Sequence, residues 1–392
     1  MERYDAIIIG AGPSGMTAAL EAKRLAPHLS VLIIEKNEEV GRKLRATGNG
    51  RCNITNVEAD GYMQCLEFFR RIGLALRQYE NGLAYPYSES AADVAELLAD
   101  KLKDFGIELM LGASVTGVEK NAEGFVVSGE GFVVSGDSLV LATGGKAGPN
   151  YGCTGDGYKF ARNFGHTVVS PVPVLTSVEC EEDCSRLGGN RARGKVTLLR
   201  DGEPVFMENG EIQFTKSGLS GICVFNMSRF MKSGSRDLSM FDIELDLYAD
   251  GDIREFLRDR MKEESSEDFD SGIVGKVLRG LLKPALANYA LEKAGVDTEK
   301  PVSEISDNDI DAIAKAVHSL QFKPVSVKGW KDAQCTSGGV SLEEIDETTC
   351  ESKVVSNLYI TGELMDYDGP CGGFNLTNAW VSGMKAGKAI GR

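Results

Sequence analysis

The segment GAGPSG sets Gly10, Gly12 and Gly15 at the spacing G-x-G-x-x-G. Between a strand and a helix, the first glycine makes a tight turn and the second lets a pyrophosphate approach the backbone. The third lets helix and strand pack. The phosphates then meet free N–H groups at the positive end of the helix. Glu35 follows Gly15 by about 20 residues, where an acid can bind ribose hydroxyls and disfavours a 2′-phosphate. Close behind comes a cationic, glycine- and asparagine-rich stretch, GRKLRATGNGRCNITN (41–56), with almost nothing to fill a core. Two more segments end a strand in polar, glycine-rich residues: LVLATGG, with Thr143, Gly144 and Gly145, and NLYITGELMDYDGPCGGFNLTNAW. All three are expected at the carboxyl edge of one sheet, where α/β folds bind ligands.

The elements that must position them are legible. DAIIIG and VLIIE are short apolar strands around a helical SGMTAALEAKRLA, which predicts a βαβ unit in a parallel sheet. A helix is expected over 91–105 and a strand over 107–111. GFVVSGE and GFVVSGD repeat at 124–137 about Gly129-Glu130-Gly131, a hairpin signal. SLVLATGG (138–145) re-enters the core. Beyond 170, strand-like pieces are expected at 194–199, 204–207 and 211–215. A helix near 219–233, a strand in FDIELDLYAD, and mostly helical sequence over 251–318 follow. QFKPVSVKGW reads as a strand returning to the first domain, and 333–345 and 357–361 lead to a last helix over 376–391. The fold class expected is α/β: a Rossmann-like domain with parallel sheet and β-meander, 1–175 plus 330–392. An insert at 176–329, β-rich over 176–248 and helical over 249–320, is expected to cover the bound cofactor.

Composition narrows the function. A net charge of −15 argues against nucleic acid and anionic membranes as partners. No apolar run approaches a bilayer span, and MERYDAIIIGAG lacks a signal peptide's basic start, so a cytoplasmic protein is expected. Nine irregularly spaced cysteines and three histidines suggest neither a disulfide framework nor a metal centre.

The motifs GRKLRATGNGRCNITN, LATGGKAGPNYGCTGDGYKFARNFGH, EIQFTKSGLSG, CTSGGVSLEEID, TCESK and GELMDYDGPCGGFNLTNAW run in order through nearly the whole chain. Together they resemble the BaiN / aminoacetone oxidase-like family of FAD-binding oxidoreductases, the YhiN-type bacterial flavoproteins. One departure is Asn49, where the family usually has the middle of three glycines. The resemblance implies non-covalent FAD, with the 41–56 loop along its flavin side. Arg42, Lys43 and Arg51 would offset pyrophosphate charge or guard the flavin mouth. Gly48 and Gly50 would let amides reach the ring, near Asn49, and Asn53 and Asn56 would supply donors and acceptors. Gly362, Glu363 and Asp366 would face the ribityl chain or pyrophosphate. Gly373, Asn375, Leu376 and Thr377 would open the last helix towards the flavin, with Asn375 or Thr377 as N-cap. Pro13, Ser14, Lys36, Cys52 and Val115 complete the expected contacts.

Asp156 reads as a helix cap or cofactor contact, and His166 as a local cap. Cys52 and Cys371 read as packing rather than redox thiols. No side chain stands out as a catalytic base. The substrate is expected to be a small molecule. The main reading is an NAD(P)H-linked reductase of an enone such as a 3-dehydro-bile acid. With no second dinucleotide fingerprint, any nicotinamide would bind transiently. An aminoacetone-like amine oxidase using oxygen and a non-catalytic flavin-binding redox sensor stay open. So does the oligomeric state.

Overall fold

The computed structural model describes residues 1–231, 237–264 and 272–392. Positions 232–233 of the helix expected near 219–233, and 265–271 of the helical stretch, lie outside these. The chain divides into two compact units, Met1–Pro173 with Trp330–Arg392, and Val174–Gly329.

In the first unit, strand β1 (Glu2–Ile9) leads through Gly10–Gly12 into helix α1 (Pro13–Leu25) and back into β2 (Val31–Ile34). Residues Ala6 to Ile8 and Leu32 to Ile33 are fully buried, as in a strand covered on both faces. Proline at the first helical position suits α1 because its missing N–H has no partner there. The parallel strands β1, β2, Glu108–Met110, the end of Phe132–Leu141, and Leu358–Ile360 lie side by side. Their register aligns Ile9, Ile34, Met110, Leu141 and Ile360 as a row of carboxyl ends.

Phe132–Leu141 has two roles. Val134–Leu141 pairs parallel with β1 along one edge; along the other, Phe132–Gly136 pairs antiparallel with Gly124–Gly129 and Leu139–Leu141 pairs parallel with Leu358–Ile360. The hairpin and the core re-entry are thus one strand. Gly129 pairs with Phe132, so Glu130 and Gly131 make the turn, and Val115–Asn121 completes the meander. The fold is the Rossmann-like α/β class with a β-meander.

The last helix, Phe374–Ile390, lies against α1. Gly383 and Gly387 make the close approach possible: a Cβ on either would collide with the Ser14 or Ala18 carbonyl oxygen of α1.

The second unit holds a seven-stranded antiparallel sheet in the order Leu320–Phe322, Phe241–Asp246, Arg191–Arg200, Glu203–Thr215, Gly218–Ser220, Val178–Cys180, Pro324–Val327. The pieces expected at 204–207 and 211–215 are one strand, and the helix near 219–233 is short, Ile222–Ser228. QFKPVSVKGW holds two strands of this sheet, and the chain re-enters the first unit at Trp330. Phe322 pairs with Ile243 and Val327 with Val178, because alternate buried residues of both strands join this second core. No described helix is long and apolar enough to cross a membrane.

Candidate functional site

A cavity of about 1310 Å³, open mouth included, runs along the carboxyl edge of the parallel sheet within the first unit.

The glycines at its centre divide their work. Gly10 has φ +107, and a Cβ there would collide with the Ala142 carbonyl. A Cβ on Gly15 would collide with the Gly10 carbonyl. Gly12 has nothing within 4 Å of its Cβ position and faces open cavity. No side chain caps α1, whose N-cap is Gly12, so its first N–H groups are left for a ligand.

Glu35 sits at the end of β2. Its Oε2 accepts the Ala11 N–H at 2.8 Å, and its Oε1 accepts from Asn37 through backbone N–H (2.9 Å) and Nδ2 (2.6 Å). Lys36 donates to Asp156 and Thr154, both at 2.6 Å. Burial alone would raise the Asp156 carboxyl, but Lys36 and Thr154 outweigh it and hold it below the ordinary range. Asp156 is thus an ion-pair partner on the cavity wall; the N-cap of its helix is Gly155.

The cationic loop is largely ordered by its own partners. Lys43 meets Glu363 at 2.7 Å, and the other Glu363 oxygen accepts the Thr336 N–H at 2.8 Å. Burial pulls the Lys43 ammonium down. Glu363, with Cys153 and Cys335 beside it, outweighs that and leaves it above the usual lysine value. Arg51 lies over the Tyr85 ring and 3.9 Å from Glu89. Arg42 donates to the Asn37 amide oxygen at 2.9 Å. Gly48, Asn49 and Gly50 all have positive φ. Asparagine tolerates that left-handed conformation better than other side-chain-bearing residues, which explains how Asn49 replaces a glycine.

Residues 52–56 are buried, not a solvated loop. Ile54 O accepts from Trp380 Nε1 at 3.0 Å, Thr55 meets Thr377, and Asn56 Nδ2 donates to Gly372 O at 3.0 Å. The stretch is a rail for the start of the last helix. The N-cap of that helix is Gly373, without a side-chain bond, and neither Asn375 nor Thr377 caps it. Asn375 instead closes the 369–375 loop: its Oδ1 accepts the Gly369 N–H (2.8 Å) and its Nδ2 donates to Gly369 O (2.9 Å). His166 is no local cap either. Its ring is buried between Glu344 (2.9 Å) and Ser352 (2.7 Å).

Of the residues singled out from the sequence, Gly10, Gly12, Pro13, Ser14, Glu35, Lys36, Arg42, Lys43, Val115, Thr143, Gly144, Glu363, Asn375 and Leu376 line the cavity. Gly15, Gly48, Asn49, Gly50, Arg51, Cys52, Asn53, Gly145, Gly362, Asp366, Gly373 and Thr377 do not line it. Asn37, Thr47, Tyr151, Cys153, Gln334, Cys335 and Tyr367 also line it and were not anticipated as contacts. Asn37 carried a legible signal, an asparagine two residues past the ribose acid. The others are brought in by packing.

A dinucleotide of the FAD kind fits these residues. Open space faces Gly12, two helix starts lack side-chain caps, and Asn53 Oδ1 is buried without a hydrogen-bond partner.

The model of the HI0933-like protein Rossmann domain family matches residues 4–66 and 58–389. The chain belongs to the HI0933-like family. This is the flavoprotein family of BaiN and YhiN type that the motifs resemble. Within it, the chain is 33% identical to a 3-dehydro-bile acid delta(4,6)-reductase of Clostridium scindens, over 97% of this chain and 98% of the relative. It is 29% identical to a ribosomal RNA dihydrouridine synthase of Escherichia coli, over 97% and 96%. Among solved structures, a 3-ketosteroid delta1-dehydrogenase of Sterolibacterium denitrificans shares the fold, with TM-score 0.52 and 13% identity over the full length of both chains.

Proposed function

We propose that the chain is an FAD-dependent oxidoreductase that saturates a carbon–carbon double bond conjugated to a carbonyl in a small organic substrate. The observation that carries this is the cavity along the carboxyl edge of the sheet, built on one dinucleotide fingerprint, in a chain with 33% identity to a reductase of that kind. Bound FAD would supply the hydride chemistry at flavin N5. The protein binds and orients. Gly12 and the α1 N-terminus take the pyrophosphate, Glu35 the ribose, and the Lys43–Glu363 pair fixes the wall beyond. The start of the last helix supplies uncapped N–H groups to the ring system. Electrons come from a nicotinamide that binds transiently.

A second reading keeps the reaction and changes the substrate. The Escherichia coli and Haemophilus influenzae relatives, 29% and 28% identical, are named for making dihydrouridine in ribosomal RNA. That product is also a saturated C=C beside a carbonyl. The charge of −15 favours the small molecule over RNA.

The test is anaerobic visible spectroscopy of the purified protein. NADH or NADPH should bleach a yellow flavin, and a steroidal enone should restore the colour. Restoration by uracil-containing ribosomal RNA alone would favour the second reading. Peroxide formed from an amine such as aminoacetone would replace the reductase with an oxidase. A flavin inert to every reagent would leave a redox sensor.

A further inference from the structure

We propose that Asn37 is a positioning residue that presents the Glu35 carboxylate to a ribose diol and keeps Arg42 off it. This rests on the FAD reading above.

The Asn37 amide sits at a junction of three residues, Glu35, Arg42 and Tyr151, all on the cavity wall. Its Nδ2 donates to Glu35 Oε1 at 2.6 Å, and its backbone N–H donates to the same oxygen at 2.9 Å. Its Oδ1 accepts from Arg42 Nη1 at 2.9 Å. Its Nδ2 also lies 3.5 Å from the Tyr151 carbonyl oxygen. These neighbours settle which way the amide points. A flipped amide would set its oxygen against a carboxylate and its NH₂ against a guanidinium, and both contacts would repel. The next residue of the 151–152 turn is built around it: Gly152 has φ +91, and a Cβ there would lie 2.7 Å from Asn37 Nδ2.

The arrangement has a chemical consequence. A guanidinium beside a carboxylate normally forms a bidentate pair that uses both oxygens. Here Arg42 reaches Glu35 only through a neutral amide. The carboxylate is held from the protein side by Ala11 and Asn37, and keeps lone pairs for ribose hydroxyls. An arginine near this position is also what accommodates a 2′-phosphate in dinucleotide folds. By engaging Arg42, the amide holds the site to a diol.

The experiment follows FAD release on dilution of the flavin-loaded, full-length protein, read by flavin fluorescence. Asn37→Ala should raise the Kd about 10- to 100-fold, the range for losing a hydrogen bond to a charged group. The deciding comparison is made without the carboxylate. In Glu35→Ala, adding Asn37→Ala should change the Kd by less than about twofold, because Asn37 then has nothing to position. Asn37→Asp has the same shape and guards against a folding defect. It sets a second carboxylate against Glu35, so it should weaken FAD binding, and circular dichroism of the flavin-free protein checks that the fold persists. An Asn37→Ala Kd within about twofold of wild type would overturn the proposal. So would an Asn37→Ala loss that persists undiminished in Glu35→Ala, or an Asn37→Asp protein that holds FAD normally. A wild-type protein that never binds FAD would instead sink the cofactor reading itself.

Discussion

The hydroxyls of Thr55 and Thr377 lie 2.8 Å apart, buried, and join positions 322 residues apart in the chain. Thr377 also donates to the Gly373 carbonyl at 2.9 Å. The proton between the threonines therefore belongs to Thr55. This bond ties the loop after the cationic stretch to the first turn of the last helix, where the cavity wall begins.

That assignment makes the two threonines unequal. Thr377→Val leaves the buried Thr55 hydroxyl only the weak sulfur partner Cys65 and should cost about 1–3 kcal/mol, the range for a poorly satisfied buried polar group. Thr55→Val leaves Thr377 still bonded to Gly373 and should cost less. The double variant should be more stable than Thr377→Val alone. Denaturant unfolding of the three proteins checks the order.

Gly12 and Gly15 should fail in different ways. Gly12→Ala adds a methyl to open cavity at an ordinary φ of −80, so the fold should survive. The methyl stands where a pyrophosphate would approach, and FAD should bind more than about tenfold more weakly, a loss of about 1.4 kcal/mol. Gly15→Ala drives a Cβ into the Gly10 carbonyl and should give a destabilised or insoluble protein. Circular dichroism with flavin fluorescence separates the two. A Gly12→Ala protein that holds FAD normally would place the pyrophosphate elsewhere.

Asp309 should carry part of the acid sensitivity. Its carboxylate accepts the Ser306 N–H (2.8 Å) and hydroxyl (2.6 Å) at a helix start and pairs with Lys300 at 2.9 Å. These, Ser306 foremost, lower its pKa to about 2. A depressed carboxyl stabilises the fold above its unfolded value of about 3.9, and that contribution disappears as pH falls towards the folded value. The side chain is 20% exposed, so about 1–2 kcal/mol at neutral pH is expected, below the full value of the shift. Asp309→Asn should melt lower than wild type near pH 6, and the gap should narrow between about pH 4 and pH 2. A gap that stays constant would mean the carboxylate is not what the cap uses.

Thiol labelling should find one cysteine. Eight of the nine are buried, and only Cys371 is partly exposed. Burial pushes Cys52 and Cys65 up to about 12, and Cys335 well above its ordinary value. A thiolate is the reactive form. Brief alkylation of the folded protein near pH 8 should add a single label at Cys371, and alkylation in denaturant should add nine. Labelling of Cys52 in the folded state would reopen a redox role for it.

The sequence by itself determined the βαβ unit, its glycine turn and the acid at the end of β2. It did so because each depends on conformations a residue imposes on its own neighbourhood. Gly10 must take a left-handed turn, Pro13 must start a helix, and buried β-branched runs must form strands. The family motifs were legible for the same reason, since they are contiguous. Tertiary structure alone decided which of those residues face the cavity. Lys43, expected to offset pyrophosphate charge or guard the flavin mouth, is paired with Glu363 in the fold. Asn375, a cap by spacing, closes a loop instead, because Gly373 already turns the chain into the helix. QFKPVSVKGW, expected as one strand, holds two, ending at Phe322 and Val327, which pair with Ile243 and Val178 of the second unit. In each case a side chain's partner lies far along the chain or its environment is set by packing. A hydrogen bond or buried contact depends on distance in space, and spacing in sequence does not carry that distance.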